Sequence, residues 1–354
     1  MNSPDSPLVL PATPVAADAI PVETLLALYR TMCRIRAFED AAETASQGGV
    51  AAFGQAPGRQ VAVRGPLHLS TGQEAVAAGV CAHLKPTDFL TSTHRGHGHT
   101  LAKGAGLEGM LHELYGKATG FCGGRGGSMH IADFSVGMLG ANGVVAAGIP
   151  IAVGAAHSIR IRGGDALAVT FFGDGAINRG PFAEGLNWAA AFGLPLLFVC
   201  EDNQWSATTK TGAMSAGGGA ADRARSFGVP AVAVDGNDVE AVWRAAARLT
   251  AEIRAGAGPR LLHARTYRFK GHVSVDPAAY RDPAELDAAL ADDPIARTRR
   301  RLRDLGATEA RVDDVMAAAR AEVNAALKSA AAAPWPAREA AFQEVQQHGS
   351  DRWL

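Results

Sequence analysis

The stretch Ala166-Leu-Ala-Val-Thr-Phe-Phe-Gly-Asp-Gly175 is an uninterrupted apolar run that ends abruptly in glycine and aspartate. Such a run is typical of a strand that is buried on both faces of a parallel sheet. Pro181 fits the first turn of a following helix. A second apolar run, Leu196–Cys200, comes next and ends at Glu201-Asp202-Asn203. This order predicts a strand–helix–strand unit of parallel sheet.

Periodic and apolar segments on either side of this unit extend the prediction. Apolar residues spaced three and four apart predict a helix over residues 22–45. We expect further helices over 73–84, 181–192 and 239–255, strands over 229–234 and 260–269, and mostly helical structure after about residue 284. The predicted fold class is α/β, a parallel sheet flanked by helices with helical extensions at both ends. We expect residues 1–21 to form a disordered arm and residues 22–354 to form a single domain.

The composition of the chain excludes several classes of protein. The 354 residues carry a formal net charge of −1, so there is no basic field for nucleic acid or for an anionic membrane. No apolar run reaches the ~18 residues of a transmembrane helix. The N-terminal segment lacks the features of signal and transit peptides, and the four cysteines are scattered without a CxxC pair. We therefore expect a cytoplasmic protein of bacterial type with reduced thiols.

Two polar side chains follow the two predicted strands at the points where the strands end. Asp174 offers a carboxylate oxygen and Asn203 an amide oxygen. Ligands of open parallel sheets bind beyond the carboxyl ends of the strands, so both side chains can face one ion. Mg²⁺ prefers oxygen ligands and often takes some of them from a bound phosphate group. A helix N-terminus near residues 176–181 would bind the same phosphate group. Taken singly, Asp174 is more simply a helix cap and Asn203 a turn residue.

The combined pattern is more specific than either residue. The chain has Gly173-Asp174-Gly175 and, one crossover later, Asp202-Asn203. This pattern resembles the thiamine diphosphate motif, which usually has asparagine at the position of Asp202. From about Leu25 to Ala341 the chain resembles the α subunit of the E1 component of 2-oxo acid and acetoin dehydrogenase complexes. The blocks that carry this resemblance are His68–Glu74, Ser92–His99, Gly124–Asp133, Gly140–Val145 and Tyr267–His272 with Asp276-Pro277.

The resemblance implies a role for particular residues. Thiamine diphosphate and Mg²⁺ are the implied cofactors, and the Mg²⁺ ligands would be Asp174, Asn203 and the backbone carbonyl of Trp205. The diphosphate would be contacted by His68, Arg95 and Arg268, with His94 in the same block, and lined by Gly175 and Ala176. Gly143 and Val145 would meet the aminopyrimidine through backbone groups. His272, in a mobile loop over residues 265–281, would assist proton transfer or the lipoyl reaction.

Simpler interpretations compete for several of these residues. His68 in an apolar stretch could be a structural histidine, Arg95 and Arg268 could be surface arginines, and Gly143 could only serve a tight turn. A different site, a metal cluster of His97, His99 and His130, is disfavoured because Arg95 lies among them and no carboxylate is regularly spaced.

The resemblance also implies partners and a reaction. A separate β subunit would supply the glutamate that activates the cofactor, giving an α2β2 assembly that acylates the lipoyl group of an E2 partner. The substrate would be a 2-oxo acid such as pyruvate, or acetoin. Most pyruvate-type and branched-chain-type members have Tyr-Arg at the position of His94-Arg95, and this difference favours the acetoin type. Val273 and Val275 replace the serines of mitochondrial pyruvate-type members, so phosphorylation control of that kind is not supported.

Three other functions stay open from the sequence. One is a branched-chain 2-oxo acid E1 α subunit, and another is a non-catalytic structural paralogue of an E1 α subunit. The third, a self-contained enzyme of the transketolase type, would need a second cofactor-binding domain, and no segment reads as one.

Overall fold

The computed structural model of the chain describes residues 20–46 and 62–342. Almost all of the arm predicted for residues 1–21 lies outside these ranges. In the described part of the chain, no helix is both long enough and apolar enough to cross a membrane.

A six-stranded parallel sheet forms the centre of the molecule. Its strands are β1 (Phe89–Thr91), β2 (Met138–Gly140), β3 (Ala168–Gly173), β4 (Leu196–Asp202), β7 (Ala231–Asp235) and β8 (Arg260–Arg265), and a separate antiparallel pair is formed by β5 (Trp205–Ser206) and β6 (Thr209–Lys210). The order across the sheet is β2-β1-β3-β4-β8-β7. The predicted unit is confirmed, because β3 and β4 pair in parallel over their whole length, from Ala168 opposite Leu196 to Gly173 opposite Glu201.

Helices cover both faces of this sheet. They are α1 (Val22–Ser46), α2 (Glu74–Cys81), α3 (Gly96–Ala102), α4 (Leu107–Leu114), α5 (Gly148–Arg162), α6 (Gly180–Ala191), α7 (Ala220–Ser226), α8 (Val239–Arg254), α9 (Pro283–Ala291), α10 (Pro294–Asp304) and α11 (Glu309–Ala332). Val169 and Phe171 of β3 join the apolar cluster of α1, α2, α8 and α11, whereas Ala168 and Phe172 join that of α5, α6 and α7. Alternate side chains of one strand thus enter two cores, which explains its continuous apolar sequence.

Two of the differences between the predicted and the observed element boundaries affect the carboxyl edge of the sheet. The strand predicted for 260–269 ends at Arg265, because the next residues leave the sheet. The N–H of Thr266 donates to the carbonyl of Asp202, and the N–H of Phe269 donates to the carbonyl of Thr71. Helix α6 does not begin directly after β3 either, since a 3-10 turn, Asp174–Asn178, comes first. Both departures direct backbone toward the carboxyl edge of the sheet.

A fully buried ion pair ties α1 to a loop at that edge. The Oε1 atom of Glu39 accepts hydrogen bonds from the N–H and hydroxyl of Ser70, at 2.9 and 2.6 Å. Its Oε2 atom lies 2.9 Å from Nδ1 of His97, whose Nε2 lies 2.9 Å from the hydroxyl of Ser128. Buried charges are tolerated when they are paired and hydrogen-bonded in this way. The network therefore fixes the segment 68–74, which carries candidate site residues.

We expect Glu39→Ala to lower the free energy of unfolding by ~3–5 kcal/mol, because it leaves buried donors without a partner. Glu23→Ala on the same helix is the matched control, since its ion pair with Arg311 is exposed and should contribute less than about 1 kcal/mol. Urea unfolding of both variants measures the difference. Equal losses would show that the buried pair has no special weight.

Candidate active site

A cavity lies at the carboxyl edge of the sheet, where five strands end together. Its walls are formed by residues that follow β1, β2, β3, β4 and β8. Ten of the predicted site residues line it: His94, Arg95, Val145, Asp174, Gly175, Ala176, Asn203, Trp205, Arg268 and His272. His68 contacts the cavity residues His94 and His272, and Gly143 lies between two lining residues, Asn142 and Val144. The fold therefore brings together residues that are far apart in the sequence.

Asp174 is the buried acid of this cavity. Burial, and next the negative charge of Asp202, raise the pKa of Asp174 to about 6. The hydroxyl of Thr211 donates to its Oδ2 atom, but in the described part of the chain no cationic side chain forms an ion pair with it. A carboxylate that is 4% exposed and has no counter-ion is suited to hold a bound cation.

Asn203 presents its amide oxygen on the same side of the cavity. The backbone N–H of Trp205 donates to Oδ1 of Asn203 at 3.1 Å, and Nδ2 of Asn203 donates to Oε1 of Gln73 at 2.9 Å. Carboxylate, amide and backbone carbonyl oxygens are the donor set that Mg²⁺ prefers. The residues present therefore fit a magnesium ion held by Asp174, Asn203 and Trp205.

Two buried guanidinium groups supply positive charge opposite this acid. Arg95 donates to the carbonyls of Leu69 and His272, at 2.7 and 2.9 Å. Arg268 donates to the carbonyls of Lys270 and Ala207, both at 3.1 Å. Burial, and next the charge of Arg268, lower the pKa of Arg95 to about 9. Within the described residues neither guanidinium forms an ion pair with a carboxylate, so both can bind an anion such as a diphosphate.

Three histidines cluster beside Arg95. The ring centroids of His68, His94 and His272 lie 4.6 to 5.6 Å apart. Burial, and next the charge of Arg95, lower the pKa of all three, to about 3, 2 and 4 respectively. They are neutral at pH 7 and act as uncharged hydrogen-bonding groups.

The nitrogens of this cluster are close enough to be considered as metal ligands, all within 4.8 Å of one another. A divalent ion about 5 Å from Arg95 would, however, meet a repulsion of roughly 7 kcal/mol at an effective dielectric constant of about 20. The cluster is therefore better suited to a neutral or anionic ligand. The other cluster considered from the sequence does not form, because His97 binds Glu39, His99 binds Glu201 and Ser92, and His130 is exposed.

The segment 265–281 is folded against the cavity in this structure. Asp276 organises it by accepting hydrogen bonds from the N–H groups of His272 and Ala278 and from the hydroxyl of Tyr280. Arg281 donates to the carbonyl of Arg268 at 2.6 Å. The segment thus fixes both Arg268 and His272 at the cavity.

Close backbone packing shapes the floor of the site at Gly175. A Cβ atom on Gly175 would overlap the hydroxyl of Ser206 and lie 2.8 Å from its Cβ, whereas a Cβ on Gly173 would meet nothing within 4 Å. The absence of a side chain at Gly175 lets β5 approach the 3-10 turn. This approach brings Trp205 to the same wall as Asp174.

Sequence reasoning gave no role to several polar residues of this site, and three of them make informative contacts. Gln73 and Glu201 line the cavity, and Thr211 binds Asp174. Gln73 lies inside the block His68–Glu74, which was a signal in the sequence. Thr211 had none, because only the fold returns the chain to Asp174 after β6.

The fold and this cavity define a class of α/β protein that binds a charged ligand where parallel strands end. The sequence profile of the dehydrogenase E1 component family matches residues 56–339. The chain belongs to that family, whose members depend on thiamine diphosphate, as predicted.

Individual relatives agree with this membership. The α subunit of acetoin:2,6-dichlorophenolindophenol oxidoreductase from Bacillus subtilis is 46% identical over 264 residues, 74% of this chain and 75% of that protein. The subunit of the same name from Cupriavidus necator is 40% identical over 332 residues, 93% of this chain and 96% of that protein. The pyruvate dehydrogenase E1 component subunit alpha of Porphyra purpurea is 36% identical over 321 residues, 88% and 90% of the two chains.

We expect Gly175→Ala to destabilise the protein by ~1–3 kcal/mol, because the added methyl group must displace Ser206. Gly173→Ala is the matched control, since the space beside it is open. Thermal unfolding of the ligand-free variants measures the effect. A lower melting temperature for Gly173→Ala than for Gly175→Ala would contradict this account of the site.

Proposed function

We propose that this chain is the α subunit of a thiamine diphosphate-dependent E1 dehydrogenase that cleaves acetoin and passes the acetyl group to a lipoyl-bearing E2. The observation that carries the proposal is the cavity itself, which is lined by a buried acid and two buried guanidinium groups that form no ion pair within the described residues. Two relatives named for acetoin, at 46% and 40% identity, support acetoin as the substrate. Pyruvate is the second candidate, because pyruvate-type relatives also align along most of the chain.

In this proposal different residues of the cavity bind different parts of the cofactor and its metal ion. Mg²⁺ is bound by Asp174, Asn203 and the carbonyl of Trp205. The diphosphate is bound by Arg95 and Arg268, with His68, His94, Gly175 and Ala176 around it. Gly143 and Val145 contact the aminopyrimidine. When bound, thiamine diphosphate supplies the carbanion that attacks the substrate carbonyl.

Cleavage of acetoin requires a proton acceptor that decarboxylation of a 2-oxo acid does not require. Cleavage of the central carbon–carbon bond of acetoin turns the carbinol into acetaldehyde, so the hydroxyl proton must go to a base. His272 is proposed to assist this transfer, because its low pKa keeps the imidazole neutral at pH 7. Arg95, which donates to the carbonyl of His272 at 2.9 Å, holds that residue at the cavity.

An exposed apolar face supports the partner subunit. Trp188 and Phe192, at the end of α6, are about half exposed and contact each other and His157 of α5. Val144 and Val145, at the mouth of the cavity, are 66% and 47% exposed. Exposed apolar groups of this kind mark protein interfaces. We propose that a β subunit covers these exposed apolar groups in an α2β2 assembly, and we still expect the bacterial cytoplasm as its compartment.

We expect Asp174→Asn to weaken Mg²⁺-dependent binding of thiamine diphosphate by at least about 100-fold, a loss of roughly 2.7 kcal/mol. The physical reason is that the neutral amide removes the one buried charge that holds the cation. Isothermal titration of the co-expressed α and β chains measures it, with the exposed Asp287→Asn as control. Unchanged affinity would contradict the proposed site, and no binding by the unaltered assembly would favour the non-catalytic alternative.

We expect the chain alone to turn over acetoin, pyruvate and branched 2-oxo acids at less than about one hundredth of the rate of the assembly. Trp188→Glu should abolish assembly, because it buries a charge in an apolar interface. Gel filtration and turnover on the three substrates measure both effects, with the exposed Asp287→Asn of α9 as control. Full activity of the isolated chain would favour the self-contained transketolase-type alternative.

A further inference from the structure

The amide of Asn203 is oriented from both of its ends. Its oxygen accepts the backbone N–H of Trp205, and its nitrogen donates to Oε1 of Gln73. A backbone N–H can only donate, so the atom facing Trp205 must be the oxygen. The nitrogen then faces Gln73, and the atom of Gln73 that meets it must be the oxygen. Two contacts thus determine the orientation of both amides.

This orientation leaves Nε2 of Gln73 without a hydrogen-bond partner among the residues that the structure describes. The side chain is 1% exposed, and its nitrogen is fully buried. An unpaired buried donor of this kind destabilises the ligand-free protein, because it loses its hydrogen bond to water without gaining another. The same side chain lines the cavity beside Asp174, Asn203 and Arg268. A donor in that place is complementary to an oxygen of a bound ligand.

The backbone around Gln73 holds the side chain in place before any ligand arrives. The N–H of Gln73 donates to the carbonyl of Ser70 at 2.9 Å. Glu74, the next residue, is fully buried, accepts the N–H of Gly72 at 3.0 Å and pairs with Arg36. Ser70 is itself bound by Glu39. The donor is therefore preorganised on a rigid segment rather than carried by a free loop.

We propose that Gln73 is a positioning residue of the metal–diphosphate site, where it fixes the Asn203 oxygen toward the cation and donates its free N–H to a diphosphate oxygen. This inference rests on the proposed function, because it needs the diphosphate as ligand. It adds a residue with two separable tasks. One task acts on the metal through Asn203, and the other acts on the anion directly.

Two substitutions separate these tasks. Gln73→Glu keeps an oxygen for the Asn203 nitrogen but replaces the free donor by an acceptor with negative charge. Gln73→Met removes both interactions at similar size. Thr71→Val is the matched control, since it deletes another buried, unpartnered polar atom of the same segment without touching Asn203. All variants are measured as full chains assembled with the β subunit.

The first measurement is binding of thiamine diphosphate with Mg²⁺ by isothermal titration. We expect both Gln73 variants to bind at least about tenfold more weakly, within the range of about 10–100-fold for residues that orient metal ligands. The second is Mn²⁺ binding without cofactor, followed by electron paramagnetic resonance of the free ion. Here Gln73→Met should lose several-fold, whereas Gln73→Glu should match the unaltered assembly or bind more tightly.

The melting temperature of the ligand-free assembly distinguishes positioning from mere structure. Gln73→Met should leave it nearly unchanged, because the unpaired Nε2 donor of Gln73 is removed while the Asn203 nitrogen loses its acceptor. A clear fall, cofactor affinity within twofold of the unaltered assembly, or an equal loss of affinity in Thr71→Val would each overturn the proposal. If the unaltered assembly binds no thiamine diphosphate, the proposed function fails, and this inference fails with it.

Discussion

Uncompensated buried charge is the constraint on which the arrangement of this molecule depends. Asp174, Arg95 and Arg268 are each at most 4% exposed, yet none of them forms an ion pair within the described residues. The cost of such burial is several kcal/mol per ion unless opposite charge comes close. A divalent cation beside Asp174 and a diphosphate beside the arginines would neutralise both halves at once. The site is thus built for its ligand and not for the stability of the empty fold.

The surrounding structure, in contrast, pairs fully buried acids with arginine or histidine side chains. Glu39 with His97, Glu74 with Arg36, and Asp88 with Arg254 are ion pairs in which the acid is fully buried. Asp88 also accepts the N–H of Leu167, just before β3. These pairs connect the helical layer to the sheet and to the segment 68–74.

The sequence predicted the parts of the fold that have a strong local pattern. Strands β3 and β4 have continuous apolar runs because they are buried on both faces, and α1 and α8 have regular apolar spacing. Strands β1 and β2 were not predicted, because three residues carry no period. Their conformation comes from pairing, since β1 lies between β3 and β2 in the sheet. Tertiary contacts decide such short segments, and local sequence does not.

The site was predictable to the extent that strand ends converge. Asp174 and Asn203 could be placed together because parallel strands carry their carboxyl ends to one edge. The roles given to the individual residues came from the family resemblance and stay predictions. The contact between Gln73 and Asn203 joins residues that are 130 positions apart, and no spacing rule reaches so far.

The position of the cavity mouth explains why one chain should not suffice. The residues proposed to bind the cation and the diphosphate lie close to the ends of β3 and β4, while the mouth is bordered by the exposed side chains of Val144 and Val145. An activating carboxylate for the far end of the cofactor would have to reach the cavity past these valines. Two buried acids line the cavity in the described part of the chain; Glu201 pairs with His99, and Asp174 is the proposed ligand of the cation. Apolar side chains at the mouth would instead pack against a second subunit, and this contact would exclude water from the cavity. The missing carboxylate is therefore best supplied from across that interface.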